Sequence, residues 1–521
     1  MSYIFYDTET TGLSAGFDQI LQFAALITDD DLNVVEEVNL RCRAMPHVVL
    51  SPGALLITGM RPSEIAAAPL SHYQMIREIV ALIRRHSPAC MVGFNSLGYD
   101  EGMLRQAFYQ TLHPVYLTNT GGNTRMDMLR AAHAVAQYAP DVLTLPTNDK
   151  GRVSFKLERL AAANGLLHDH AHDALSDTMA TLALARLVRD KAPKVWEGLC
   201  RTRSKQAAGD FVSGNEMFWA TDMAFGVPSI LAGAICANPE NPSEVAVFDL
   251  SLDPMPYMGM GVDDIRQLRK AQPRLIRIVK LNAQPILMPL DMAPASVCAI
   301  DMDVARERVQ QIEKNTYFAD AVGLAVASRY PERPPANYVE QRIYDGFPSR
   351  TDANLMEQFH AAPWIERPAI VAQLADERLR ELGERLIYLE APSILPDDVR
   401  GRYDAWRGDR VCADQTAPWV CLASARNELE KLKVTATEDF GDLLEEIGDY
   451  LEQVSDEIGR EQANPQGSEE MFYLDKDGNK QDADLYDIDY KMPAHLDFSN
   501  PETVRFWEKY RKENPEAFDF S

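Results

Sequence analysis

The chain has little cysteine, no long apolar run and no excess of positive charge. Its seven cysteines (Cys42, Cys90, Cys200, Cys236, Cys298, Cys412 and Cys421) are dispersed over 521 residues and form no Cys-x-x-Cys pair. That spacing excludes the disulfide frameworks of small secreted domains and points to reduced, mostly buried thiols in a cytoplasm. No stretch approaches ~18 apolar residues, and the N-terminus lacks the basic, apolar, small-residue order of a signal segment. A soluble cytoplasmic monomer with no membrane contact is the expectation. Basic residues are outnumbered: 52 Lys and Arg face 78 Asp and Glu, for a net charge of -26. Taken whole, that balance argues against a nucleic-acid partner.

The distribution of charge weakens that exclusion. Thr435 to Ser521 holds 24 acidic and 8 basic residues, a net of -16, while the preceding 434 residues carry a net of only -10. A carboxylate site that binds cations also adds formal charge that the cations offset. The hydrophobic fraction of 46% is that of a globular protein, and the length suits about three domains.

Residues 1–195 alternate strand-like and helix-like segments. Tyr3-Ile4-Phe5-Tyr6 and Ile20 to Thr28 read as strands, and Val34-Val35 and Val38-Asn39-Leu40 continue the meander after an Asp29-Asp30-Asp31 turn. Ile76, Ile79, Val80 and Ile83 form one helical face between Tyr73 and Arg85, and Cys90 to Phe94 reads as a buried strand. Helices are predicted from Asp100 to Phe108, Phe155 to Asn164 and Ala174 to Val188, with Pro193 closing the region. The pattern is an α/β domain with a mixed sheet. Residues 203–350 carry short β-like runs, Met217 to Ala220, Val245 to Leu250 and Leu275 to Val279, separated by turns such as Asn238-Pro239-Glu240-Asn241-Pro242. Residues 353–460 show helical spacing, including Ile370 to Leu386 and Ala423 to Leu432, and residues 461–521 are polar, acidic and turn-rich. Asp475-Lys476-Asp477-Gly478-Asn479 imitates half of a calcium-binding loop. Lys480 stands where that loop needs Gly and Tyr486 where it needs Glu, so a β-turn is predicted.

The chemistry concentrates in a few acids. Asp7 and Glu9 lie two apart on a strand, so they share a face. Paired carboxylates repel unless protons or cations neutralise them, and hard oxygen ligands suit Mg²⁺ or Mn²⁺. Asp100 opens a helix after the Asn95 turn. Two His-x-x-x-x-Asp matches overlap, His168/Asp173 and His172/Asp177. If Asp173 caps the helix, Asp177 projects with Thr181, Leu184 and Val188 toward the interior, where an acid needs a cation or hydrogen bonds. His172/Asp177 is therefore the pair of choice.

Asp7-Thr8-Glu9, Asn95-x-x-x-x-Asp100 and Ala171-His172-Asp173-Ala174-Leu175-Ser176-Asp177 together resemble the three motifs of the DEDD exonuclease superfamily, in its histidine subclass. Leu55 to Glu64, Phe155-Lys156-Leu157-Glu158-Arg159-Leu160, Val212-Ser213-Gly214, Asn282 with Pro285, and Tyr344-Asp345-Gly346-Phe347 resemble the bacterial exonuclease I family over roughly residues 1 to 430. The resemblance implies a ribonuclease H-like exonuclease domain, an SH3-like β domain and a helical C-terminal domain. It implies 3′→5′ hydrolysis of single-stranded DNA to 5′-mononucleotides, serving DNA repair and recombination. It also implies two Mg²⁺ ions, with Mn²⁺ as a substitute, held by Asp7, Glu9, Asp100 and Asp177, and His172 as general base. Leu56, Ile57 and Thr58 either line the site for the terminal nucleotide or form a buried turn. Thr10 and Gly12 pose the same choice, Gly12 otherwise satisfying a positive φ. The C-terminal tail of single-strand-binding protein is an implied partner, with no residue assigned to it. Lys270, Arg274, Arg277 and Lys280 form a basic segment that either meets DNA or is merely solvated, with Phe218 and Trp219 in the same stretch. The catalytic motifs alone do not separate DNA from RNA, so an exoribonuclease or proofreading-type nuclease is the alternative. A non-catalytic scaffold is disfavoured because all five catalytic positions hold competent residues.

Overall fold

The computed structural model describes residues 2–166, 173–224, 228–268, 274–297, 300–329, 336–436, 438–463, 473–474 and 480–481. His168, His170, His172, Lys270, Cys298 and most of the acidic extension lie outside the described residues. Residues up to 455 form one compact unit, and residues 456–521 form a second.

The strands β1 (Ser2–Thr10), β2 (Ile20–Thr28), β3 (Val34–Arg41), β4 (Ala89–Gly93) and β5 (Thr124–Asp127) make one sheet in the order β3-β2-β1-β4-β5. The first three pair antiparallel, and β4 and β5 join in parallel, so the sheet is mixed as expected. The acidic turn closes the β2–β3 hairpin: Asp29 Oδ1 accepts from the backbone N–H groups of Asp31 (2.9 Å) and Asn33 (2.8 Å). Strand β2 is buried along its whole length. That requires cover on both faces, and β1 shows how it is supplied. Ile4 and Tyr6 pack with Ile76, Ile79, Val80 and Ile83 of the helix His72–His86. Tyr3 and Phe5 belong to a second cluster with Leu182, Leu184, Ala185 and Val188 of the helix Ala174–Lys191. Each such buried Val, Leu, Ile or Phe contributes about 1.5–3 kcal/mol.

Asp7 and Glu9 continue the face of Tyr3 and Phe5. The parallel pairing of β1 with β4 ends at Phe5 opposite Val92. The acids therefore stand beyond the pairing, at the carboxyl end of β1, where open sheets bind ligands. The segment Thr124–Asp127 and the helix Met128–Tyr138 that follows it were not predicted. Asp127 caps that helix by accepting from the Leu129 N–H at 3.0 Å. Pro193 follows the end of one helix and also opens the next, Pro193–Arg201, as its fixed φ permits.

A second sheet, antiparallel throughout, comprises β6 (Phe218–Thr221), β7 (Ser229–Asn238), β8 (Asn241–Asp249), β9 (Ile276–Lys280) and β10 (Ile286–Met288). Its order is β10-β6-β7-β8-β9, and the Asn238–Asn241 run is the β7–β8 hairpin turn. The same stretch also contains the helices Lys205–Gly214, Met302–Lys314 and Thr316–Ala327, so it is less purely β than its sequence suggests. Helical spacing of buried Ala305, Val309 and Ile312 is the signal that reveals one of them. Farther on, the expected helix from Ile370 to Leu386 is two helices, Arg367–Val371 and Glu377–Glu390. Asp376 makes the break by capping the second one. In the last part of the chain, Tyr473–Leu474 pairs antiparallel with Lys480–Gln481. The strands flank the predicted turn, whose residues lie outside those described. Among the described residues no helix is long and apolar enough to cross a membrane.

Candidate metal centre

Asp7, Glu9 and Asp177 each offer a carboxylate oxygen, and the three oxygens lie within 4.8 Å of one another. Two come from adjacent same-face positions of β1 and the third from the first turn of the helix Ala174–Lys191. The predicted division of labour between Asp173 and Asp177 holds. Asp173 caps the helix, accepting from the Leu175 and Ser176 N–H groups at 3.1 and 3.3 Å. Thr181, Leu184 and Val188 are buried along the stripe below Asp177.

Asp100 is buried in the first turn of the helix Asp100–Gln110, with its Oδ1 accepting from Thr8 Oγ1 at 2.5 Å. Thr8 points to the opposite face of β1 from Asp7 and Glu9. Asp100 is not among the three acids whose oxygens lie within 4.8 Å of one another. Its charge still acts on Asp7, ahead of those of Asp177 and Glu9. Burial raises the Asp7 pKa well above the ordinary carboxylate range, and these neighbours raise it further. Glu9 is pushed up to about 9, by burial first and then by Asp177 and Asp100, with Arg41 opposing. Asp100 is raised to about 7 by burial, against the Thr8 hydrogen bond. Acids held so far from their usual range store repulsion that a divalent cation relieves. The donor set, all carboxylate oxygen, fits a hard divalent ion.

The loop after β1 is tightly tied. Thr10 Oγ1 donates to the Gly12 carbonyl at 2.9 Å, and Tyr99 donates to the same carbonyl at 2.7 Å. The φ of Gly12 is not positive, contrary to one of the two readings above. A Cβ there would lie 2.7 Å from Asp18 Oδ2, and the Asp18 carboxylate is itself fixed by Thr11 Oγ1 and the Ser14 N–H. Glycine at position 12 is a matter of space. Leu56, Ile57 and Thr58 are not in a buried turn either: they end the helix Pro52–Thr58, and Ile57 is 63% exposed.

The aromatic and basic candidates separate. Phe218 and Trp219 are core residues of the second sheet, 0% and 5% exposed, so they present no face to a base. Phe218→Ala is expected to lower the unfolding free energy by about 3–5 kcal/mol, as denaturant titration can show. A loss below about 1 kcal/mol with weakened oligonucleotide binding would restore the stacking role. Arg274 and Lys280 are exposed, whereas Arg277 is buried and donates to the Pro228 carbonyl at 3.2 Å. Arg277 and Lys280 nevertheless line one pocket of about 210 Å³ with Arg130 and Asp222. Residues 2–166 also carry partners of the site that spacing does not reveal, Gln22 and Arg41, both hydrogen-bonded to Asp173.

Two family models match this chain: "Exonuclease" over residues 4–185 and "Exonuclease I C-terminal domain" over residues 337–454. Exodeoxyribonuclease I of Escherichia coli K12 is 28% identical over 405 residues, covering 73% of this chain and 84% of the relative. The chain is similar to the exonuclease I family along most of its length. Exonuclease I from Methylocaldum szegediense shares its fold with a TM-score of 0.76 at 25% identity, across 87% of this chain and 99% of the other. Escherichia coli exonuclease I in complex with a dT13 oligonucleotide gives the same TM-score, identity and coverage. A further structure of that exonuclease I is a zinc-bound complex with single-stranded DNA. The fold is thus shared over nearly the whole length of these structural relatives. Dependence on a divalent metal follows from the exonuclease fold together with the acidic triad.

Proposed function

We propose that this protein is a metal-dependent 3′→5′ exonuclease that hydrolyses single-stranded DNA to 5′-mononucleotides. The observation that carries the reading is the convergence of Asp7, Glu9 and Asp177 within 4.8 Å, in a chain that matches both the exonuclease and the exonuclease I C-terminal models. Solved complexes of the Escherichia coli relative contain dT13 and dA16 oligonucleotides, which supports a single strand as substrate.

Asp7, Glu9 and Asp177, with Asp100 beside them, would hold two Mg²⁺ ions, Mn²⁺ serving as a substitute. Bound there, such ions supply charge stabilisation at the scissile phosphate and an acidified water. His172, outside the described residues, takes the proton from the attacking water and must be neutral to do so. The water oxygen joins phosphorus as the bond to the 3′-oxygen breaks, leaving a shortened strand and a 5′-mononucleotide. The terminal nucleotide sits against Leu56, exposed Ile57 and Thr58. Thr10 and Gly12 contribute by shaping the loop, since the Thr10 hydroxyl is spent on the Gly12 carbonyl. The protein works as a cytoplasmic monomer in DNA repair, with the tail of single-strand-binding protein as a partner.

Incubation with labelled single-stranded DNA, duplex DNA and RNA, with Mg²⁺ or chelator, tests this. Metal-dependent mononucleotide release from single-stranded DNA is the expected result. Comparable degradation of RNA would favour an exoribonuclease, and binding without cleavage a scaffold.

A further inference from the structure

We infer that Gln22 and Arg41 are positioning residues that hold Asp177 in register with Asp7 and Glu9, acting through Asp173; the inference rests on the metal-dependent reading above. Glu9 stands opposite Gln22 on β2, and Gln22 stands opposite Arg41 on β3. Directly opposed residues share a face, so the three form one row across the sheet. The helix Ala174–Lys191 packs on β1 and β2, and its cap meets this row. Asp173 Oδ2 accepts from Arg41 Nη2 at 3.1 Å and from Gln22 Nε2 at 3.2 Å. Gln22 is itself fixed, being 1% exposed and also donating to Asn39 Oδ1 at 3.0 Å.

The Asp173 carboxylate divides its two oxygens between two tasks. Oδ1 sets the start of the helix through the Leu175 and Ser176 N–H groups. Oδ2 ties that start to the strands beside Asp7 and Glu9. Asp177 is coupled directly, because its backbone N–H donates to the Asp173 carbonyl at 3.0 Å. A helix turn moves as a unit, so a shift of the cap carries the Asp177 carboxylate with it. The side chains of Arg41 and Asp173 are 40% and 35% exposed. An ion pair that wet contributes little to global stability. Its effect is local: outer partners that orient a metal ligand typically control ~10–100-fold in metal affinity or activity.

The test uses the full chain and the variants Arg41→Met, Gln22→Met, Asp173→Asn and the double variant Arg41→Met/Asp173→Asn. Asn caps a helix about as well as Asp, so Asp173→Asn removes the charge and keeps the cap. Mn²⁺ binding is read by calorimetry, folding by melting temperature, and turnover on a single-stranded oligonucleotide. Mn²⁺ affinity is expected to fall about 10-fold in each single variant, with oligonucleotide KM unchanged and with melting temperature unchanged in the Arg41 and Asp173 variants. The double variant is expected to be no worse than either of its singles, the signature of one shared interaction. Arg41→Lys is expected to recover part of the loss, since it keeps the charge and loses the fork. Unchanged Mn²⁺ affinity overturns the inference. So does an affinity loss that tracks a lowered melting temperature, and so does fully additive behaviour in the double variant. A raised KM with normal Mn²⁺ affinity would make Arg41 a DNA contact instead. A wild-type chain that binds no Mn²⁺ refutes the underlying metal reading, not this one.

Discussion

Asp7→Asn is expected to abolish mononucleotide release while leaving the folded protein at least as stable without metal. Asp7 contributes to the 4.8 Å group together with Glu9 and Asp177. Losing a direct ligand should cost more than the ~10–100-fold typical of an outer partner. Stability should move the other way. Burial and the charges of Asp100, Asp177 and Glu9 all hold the Asp7 pKa high, so its ionised form is strained in the metal-free fold. Asn has the same shape and no charge, and it relieves both burial cost and repulsion. Product chromatography and thermal melting of the purified variant check the two halves. Wild-type turnover in that variant would sink the assignment of Asp7 as a metal ligand. A large loss of stability would instead make it a structural acid.

Chelation is the second large effect, and its sign with pH is specific. Glu9 rises from 4.5 to about 9, and Asp100 from 3.8 to about 7, in the metal-free fold. A folded acid with a raised pKa binds protons that the unfolded chain has released. Its contribution to stability is fully present below the unfolded pKa and is lost as pH rises through the folded one. The metal-free protein should therefore weaken progressively across that window. Divalent cations compete with the same protons, so they bind best where the acids are ionised. Mn²⁺ is expected to raise the melting temperature strongly at about pH 8 and little at about pH 5, while chelator removes all activity at either. An equal shift at both values, or none, would mean that the acids do not share a cation.

Much of the site was legible because it rests on local geometry. The period of two along a strand places Asp7 and Glu9 on one face without any knowledge of the fold, and β2 spans the expected Ile20–Thr28. The period of a helix separates Asp173, the cap, from Asp177, the inward acid. Turn chemistry marked Asp29 to Asp31 and the Asn238 to Asn241 hairpin. A short segment and an alanine-rich one were missed, the four-residue β5 and the helix after it.

Long-range partners have no local signature. Arg277 reads as a surface cation until β9 carries it into a pocket, and Phe218 reads as a free aromatic until the second sheet buries it. Gly12 is required by the approach of the Asp18 carboxylate, which spacing does not show. The sequence by itself determined which acids could form a metal centre, because strand and helix periodicity are properties of neighbouring residues. Only the tertiary structure decided that Thr8 bonds Asp100 and that Gln22 and Arg41 reach Asp173. Those contacts join residues 92 to 151 positions apart, and packing of the helix Ala174–Lys191 across strand register is what brings its cap to β2 and β3.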